Sequence, residues 1–226
     1  LFTLLFFNAE AGLRFLSPMK VMNFTPRSIS GLRVWLTTSV SGSINGGTFS
    51  DGDPVSTWTD QSTNAYSFTA AGGLRPSVET NEINSKPTIR GTASLLSATV
   101  GSDMTSYSVF FVIKVNTFRQ FDCIICSSTQ GTGASMIELG SVSQFDVWDV
   151  NVSAKMPTGL GTVSTGTYYI ANVTYTQATP AGVFYIGNTS LGTTNQASMF
   201  LESAPLTIFD DGAAGFTALR ADIASV

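Results

Sequence analysis

The sequence contains no histidine. That absence removes Ser-His-Asp and Cys-His catalysis, the commonest general base and the commonest zinc ligand. Charge is scarce as well. Only 12% of the 226 residues are Asp, Glu, Lys or Arg, about half the share usual in a soluble protein. The 11 basic residues, against 15 acidic ones for a net charge of −4, are spread along the chain. No stripe tracks a phosphate backbone, so nucleic acid is not an expected partner. No apolar run approaches the roughly 20 residues that cross a bilayer as a helix, so no membrane span is expected. Cysteine is limited to Cys123 and Cys126, too few for a structural zinc site. On a regular strand, positions i and i+3 point to opposite faces, which makes a bridge between them awkward. Two ordinary thiols in or beside a strand are expected, with a redox pair as the alternative.

What is present is apolar and hydroxyl-rich. Apolar residues make up 43% of the chain, enough for a sizeable core, and Ser, Thr, Gly and Asn supply most of the polarity. Strand signals recur from about residue 31. Leu32-Arg33-Val34-Trp35-Leu36 alternates. Between Tyr107 and Val115, the side chains of Tyr107, Val109, Phe111, Ile113 and Val115 share one face at period two. The other face carries Ser108, Phe110, Val112 and Lys114, and its apolar centre predicts a central strand covered, at least partly, on both sides. Further strands are expected near Ile124, Met136–Leu139, Phe145–Val150, Tyr168–Thr176, Val183–Ile186 and Leu206–Phe209. Gly187-Asn188 forms a hairpin turn where positive φ is cheap. No heptad or long 3.6-residue period appears, so the fold class is an all-β sandwich or barrel.

The ends read differently. Leu1–Phe7 is a short apolar run, and Ala9-Glu10-Ala11 has the form of a signal cleavage site without a basic n-region. A start at Met19 or Met22 with an upstream leader is the alternative, and a packed N-terminal element is a third. Residues 1–22 are therefore set apart as a leader or signal-like segment, and residues 23–226 as one domain. Val226 falls inside an expected strand, so the C-terminal strand reads as truncated.

Several segments, in fixed order, resemble the laminin-G-like members of the concanavalin A-like lectin/glucanase superfamily, of the kind found in bacterial surface and phage virion proteins. Pro26-Arg27-Ser28-Ile29-Ser30-Gly31-Leu32-Arg33-Val34-Trp35-Leu36 is similar to its opening P-x-x-I-x-G-L-x-x-W-L. Val55-Ser56-Thr57-Trp58-Thr59-Asp60-Gln61-Ser62-Thr63-Asn64 resembles its V-x-x-W-x-D-x-S-x-N turn. Lys86-Pro87-Thr88-Ile89-Arg90 is similar to K-P-x-[IV]-R, and Ala221-Asp222-Ile223-Ala224-Ser225-Val226 to G-D-I-A-E-V. Ser225 replaces the usual acidic residue, Gly187-Asn188 reverses the usual order, and the family's final strand is missing. The resemblance implies a two-sheet antiparallel jelly-roll β-sandwich with loops clustered on one rim. It implies function poorly, since lectins, glycanases, adhesion modules and virion parts share that fold.

Glycoside hydrolysis needs two carboxylates about 5 to 9.5 Å apart. The superfamily's glucanases align them on one strand as E-x-D-x-E, a string absent here. Asp51-Gly52-Asp53 is a turn, and Asp146 and Asp149 face opposite ways on a regular strand. The chain is therefore read as no enzyme. Laminin-G-like domains often hold calcium at the loop rim, and Asp51, Asp53 and Asp60 are the candidate ligands for it. The competing reading makes Asp51 and Asp53 turn formers and Asp60 a cap on the Trp58 turn. For ligand recognition, Gln144, Asp146 and Trp148 alternate onto one face, an aromatic plate beside polar acceptors of the kind that sugars need. The alternative there is an inverted register that buries Trp148. Trp35 and Trp58 read as packing residues. The expected function is a non-catalytic carbohydrate-binding or adhesion module of an extracellular or virion-surface protein, its partner a glycan or cell-surface receptor. The alternatives are a structural phage virion protein, a capsid decoration or tail-fibre domain held by other virion proteins, and, behind it, a polysaccharide-degrading enzyme.

Overall fold

In the computed structural model the described residues are 25–102, 104–119, 122–127, 135–141, 144–149, 154–155, 162–177, 181–194, 205–210 and 217–225. The expected leader, residues 1–22, lies outside them. In chain order their strands are β1 (Thr57–Thr59), β2 (Ser67–Thr69), β3 (Ser77–Ile83), β4 (Lys86–Thr92), β5 (Leu96–Ala98), β6 (Ser106–Thr117), β7 (Asp122–Ser127), β8 (Ser135–Ser141), β9 (Gln144–Asp149), β10 (Ala154–Lys155), β11 (Tyr168–Thr176), β12 (Ala181–Ile186), β13 (Thr189–Thr194), β14 (Leu206–Ile208), β15 (Thr217–Ala218) and β16 (Arg220–Ser225). Helix among the described residues is confined to two 3-10 turns, Pro26–Ser28 and Gly72–Leu74.

The strands form two sheets. One has seven strands in the order β13-β12-β11-β6-β16-β4-β3. The other has nine, in the order β1-β2-β5-β14-β7-β8-β9-β10, with β15 beside β7. The ladders are antiparallel except for the short β15–β7 pair, so the expected antiparallel sandwich is what the chain builds. Period-two alternation does the sorting. Along β6, Phe111, Ile113 and Val115 are buried while their even-numbered neighbours are not. Between the sheets, Phe111 of β6 meets Phe145 of β9 edge-on at 5.9 Å, and Phe145 stacks on Phe184 of β12 at 5.6 Å. Such aromatic pairs add about 1 kcal/mol each beyond the area they bury. Trp58 is buried as expected, its indole N–H donating to the Thr37 carbonyl at 3.2 Å. The β12–β13 hairpin turns at Gly187-Asn188, with Gly187 at φ +55°.

Two expectations are corrected and a third is sharpened. Cys123 and Cys126 are joined by a disulfide, with Cα atoms 6.1 Å apart. The ladder of β7 against β8 shifts register between Cys123 and Ile125. A bulge of that kind breaks the strict alternation that would have set the two thiols on opposite faces. Second, Leu32–Leu36 is no strand. Its only bridge is at the next residue, Thr37 to Ser225, because β16 comes alongside only there. Trp35, within it, is half-buried rather than packed in the core. Third, the even face of β6 is covered only in part: Val112, Lys114 and Asn116 are half-buried, whereas Phe110 is 61% exposed and its neighbour Ile170 of β11 62%.

Candidate functional site

That open face of the seven-stranded sheet holds the densest polar constellation among the described residues. Register builds it. Tyr168 of β11 stands opposite Lys114 of β6, Lys114 opposite Asp222 of β16, and Asp222 opposite Arg90 of β4. One transverse row therefore crosses four strands. At its end, β3 contributes Glu79 and Glu82.

The row is bonded throughout. Arg90 grips Asp222 with both arms, Nε to Oδ1 at 2.6 Å and Nη2 to Oδ2 at 2.9 Å. Its remaining nitrogen reaches Glu79 Oε2 at 2.7 Å. Lys114 Nζ lies 2.7 Å from Asp222 Oδ2, pairs with Glu82, and sits 4.9 Å from the centre of the Tyr168 ring. Asn116 Nδ2 donates to Asp222 Oδ1 at 2.9 Å. The Asp222 side chain is fully buried. Burial alone would raise its pKa, but hydrogen bonds from Arg90, Lys114 and Asn116 outweigh it and hold the carboxyl below the usual aspartate range. The cations respond in kind. Asp222 raises Arg90 further, chiefly through its hydrogen bonds. For Lys114, burial pulls downward, and the hydrogen bonds to Asp222 and Glu82 overcome it. Burial also pushes the Tyr168 phenol up.

Beside this row lies an apolar step. Val112 faces Ile170 across β6 and β11, and Phe110 faces Asn172, so Phe110 and Ile170 are diagonal neighbours on one side of the sheet. Phe110 and Lys114 are four positions apart on the same strand, about 14 Å at ~3.4 Å per residue. The face thus joins an exposed ring and aliphatic surface to a fixed array of carboxylates, cations and an amide. An ionised, doubly clamped Asp222 is a hydrogen-bond acceptor and not a proton donor. The face offers van der Waals surface and fixed hydrogen-bonding groups side by side.

The residues singled out in the sequence lie elsewhere. Gln144 is half-buried on β9, next to the core residue Phe145. Asp146 and Trp148 pair in register with Glu138 and Met136 of β8, and their side chains lie outside the described residues. Asp60 is buried and accepts from Trp35 N–H (2.7 Å), Ser62 N–H (2.8 Å), Ser62 Oγ (2.6 Å) and Tyr66 N–H (3.2 Å). Asp51 accepts from the Thr80 N–H and hydroxyl, which lowers its pKa. Asp53 accepts from Ser50 N–H. Among the described residues no three Asp, Glu, Cys or His side chains converge as a metal cage. The polar row was missed, although Arg90 and Asp222 both stand inside family-like segments. Two charged residues within hydrophobic strands were the available signal.

No family model matches the sequence, and no curated protein matches it. Solved structures do match in shape. A mutant of Trypanosoma rangeli sialidase displaying trans-sialidase activity aligns at 13% identity and a TM-score of 0.54, over 85% of this chain but 29% of its own. Domain 4 of AbnA, a GH43 extracellular arabinanase from Geobacillus stearothermophilus solved in complex with arabinotriose, aligns at 12% identity and 0.53, over 85% of this chain and 89% of its own. A heptameric SAP-like pentraxin from Limulus polyphemus aligns at 14% identity and 0.42, over 54% and 63%. The chain spans less than two thirds of the pentraxin and under a third of the sialidase. At such identities the likeness is one of fold, and the fold is a two-sheet antiparallel jelly-roll β-sandwich.

Proposed function

We propose that the domain is a non-catalytic carbohydrate-binding or adhesion module of an extracellular or virion-surface protein, and that it takes a glycan on the open face of its seven-stranded sheet. One observation carries this reading: Phe110 and Ile170 stand exposed beside a rigid polar row on the same face. A sugar ring presents C–H surface on one side and hydroxyls around its edge, and a site that recognises it pairs an apolar step with fixed donors and acceptors. Glu79, Glu82, Arg90 and Tyr168 offer those groups already oriented by one another, which lowers the entropy lost on binding. The reading is non-catalytic because the sequence has no histidine and no E-x-D-x-E string to set carboxylates on one face of a strand.

The test is a glycan array with and without calcium, repeated with Phe110→Ala, Glu82→Gln and Trp148→Ala. Binding that Phe110→Ala and Glu82→Gln weaken at least tenfold supports the open face. Loss with Trp148→Ala alone moves the site to Gln144, Asp146 and Trp148 on β9. A requirement for calcium points to the rim that carries Asp51, Asp53 and Asp60. No binding to any glycan sinks the proposal. A second reading, a structural phage virion part held by protein contacts, draws on the same exposed Phe110 and Ile170, since apolar surface also marks protein interfaces. It predicts that Phe110→Ala impairs assembly with capsid or tail proteins and leaves no glycan effect to find.

A further inference from the structure

Beyond the polar row, on the side away from Phe110, lies a pocket of about 360 Å³ lined by Arg90, Gly91, Thr92, Asn116, Thr117 and Arg220. Those residues supply two guanidiniums, an amide and two hydroxyls, and no carboxylate. We propose that this pocket is an anion subsite, with Arg220 as its cation, for a singly charged oxyanion carried by the glycan. The ligand of the open face is then an acidic oligosaccharide, bearing a uronate carboxylate or a sulfate ester. This rests on the reading of that face as a glycan site and names the class of glycan.

Register puts Arg220 on the same face as the row. β16 runs evenly against β4, with Arg220 opposite Thr92 and Asp222 opposite Arg90. At period two these four residues share one side of the sheet. The pair between them, Gly91 and Ala221, faces the core, where Ala221 is buried and Gly91 lies against Phe209. Against β6 the same strand slips. Arg220 opposes Thr117 and Ala221 opposes Val115, which leaves Asn116 as the extra residue of a bulge. Bulges re-aim side chains, and here the Asn116 amide is turned onto Asp222 Oδ1 at 2.9 Å, at the edge of the pocket.

The two arginines differ in what they already hold. All three nitrogens of Arg90 are bonded to Asp222 or Glu79. Arg220 is half-buried, its Nε is buried with no hydrogen-bond partner, and no carboxylate of the described residues pairs with it. A buried donor without an acceptor is rare, because its desolvation is not offset. Water would satisfy the N–H and leave the charge uncompensated. An oxyanion does both, and the guanidinium fork takes two of its oxygens at once. Asp222, two positions along β16, limits the charge: it repels a dianion about twice as strongly as a monoanion. The acidic end of the row lies the other way. Glu79 stands opposite Thr88, four positions along β4 from Thr92, about 14 Å at ~3.4 Å per residue. An acidic glycan is thereby oriented, its anion at Arg220. Phe110 is six positions from Asn116 on β6, about 20 Å, so a ligand that meets both is an oligosaccharide rather than a single ring.

The experiment uses the full chain on an array that pairs each neutral oligosaccharide with counterparts carrying a uronate carboxylate or a sulfate ester. It is repeated with Arg220→Gln and with Thr117→Glu, which sets a like charge at an exposed edge of the pocket and leaves the guanidinium in place. The expected result is that acidic members bind at least tenfold more tightly than their neutral partners. Each variant should remove that preference and leave binding of the neutral members unchanged. The uronate and sulfate arms show which group carries the charge. Equal binding of acidic and neutral members overturns the anion subsite and leaves the glycan site standing. An acidic preference that survives Arg220→Gln also overturns it, since the charge is then recognised elsewhere. Binding to no glycan of either kind fails the glycan reading itself, and the subsite falls with it.

Discussion

The ring of Phe209 lies directly on the backbone of Gly91, so close that a Cβ at Gly91 would stand 2.7 Å from the ring's Cγ. Gly91 belongs to β4 and Phe209 follows β14, so the contact ties one sheet to the other. Neither side has room to yield. Phe209 is fully buried and holds φ at +75°, a conformation that costs a bulky residue of order 1–3 kcal/mol unless its surroundings enforce it.

Gly91→Ala is therefore expected to destabilise the fold by about 3 kcal/mol, the upper part of the range for overpacking. Phe209→Leu should recover part of that loss in the double variant while being costly alone. Urea unfolding of the four proteins measures the coupling. Strictly additive effects would show that the ring is not what Gly91 makes room for.

Arg90 and Asp222 are separated by 132 positions in the chain, and Arg90→Met tests what their pairing contributes. It leaves a buried carboxylate with Lys114 as its only cation, a change that costs about 3–5 kcal/mol. Replacing both, as Arg90→Met with Asp222→Leu, removes the orphaned charge and should cost less than Arg90→Met alone. If the double variant is the less stable of the two, the row supports the fold through something other than charge compensation.

How much of this was legible beforehand follows from the range of the interactions. Strands β6 and β11 and the Gly187-Asn188 turn were readable because alternation and turn chemistry are local. Which part of the even face of β6 is open was not legible, because Phe110 and Val112 look the same in sequence although one is exposed and the other half-buried. Register decides that, and register is set across the sheet. Arg90 and Asp222 escaped for the same reason, since nothing local says that a β4 arginine and a β16 aspartate stand opposite each other. Leu32–Leu36 alternates like a strand but lacks a paired neighbour, and alternation alone does not supply one. The disulfide was missed because a bulge between Cys123 and Ile125 overturned the spacing argument.

The depressed pKa of Asp222 fixes the sign of one pH effect. A carboxyl lower in the folded than in the unfolded state stabilises fully above its unfolded value, about 3.9, and that contribution is lost as pH falls through the folded value. The urea midpoint is expected to drop below about pH 4. Asp51 is also lowered and adds to the trend, so the comparison that isolates Asp222 is Asp222→Asn against the natural chain. The variant should be less stable at pH 7 and show a shallower acid limb. Parallel curves would remove Asp222 as the cause. At the other extreme, Lys114 is raised, so its share is present below about pH 10.4 and fades as pH climbs beyond.

The Cys123–Cys126 bridge closes a very short loop, and the entropy it removes from the unfolded chain is correspondingly small, about 2 kcal/mol on the loop-length relation. Replacing both cysteines with serine should therefore leave a folded, cooperatively melting protein, with any larger loss coming from polar hydroxyls in this buried strand. Cysteine-to-alanine replacement at both sites separates the two effects by thermal unfolding. A double alanine variant that fails to fold would make the bridge essential.

Asp60 offers the clearest choice between a cap and a cation ligand. Its carboxylate collects four donors, from Trp35, Ser62 twice and Tyr66, and so pins the Trp35 segment to the turn after Trp58. Asp60→Ala leaves those buried donors unsatisfied, and at about 1–3 kcal/mol for such a group the total loss is expected to reach roughly 3 kcal/mol. Asp60→Asn keeps one acceptor oxygen and should fall between. If the residue acts as a cap, Tm is the same in calcium and in chelator for all three proteins. A ligand that binds only the folded state raises Tm with its concentration. A calcium-dependent rise in the natural chain that Asp60→Asn abolishes would therefore assign the carboxylate to a cation, with Asp51 and Asp53 next to be tested.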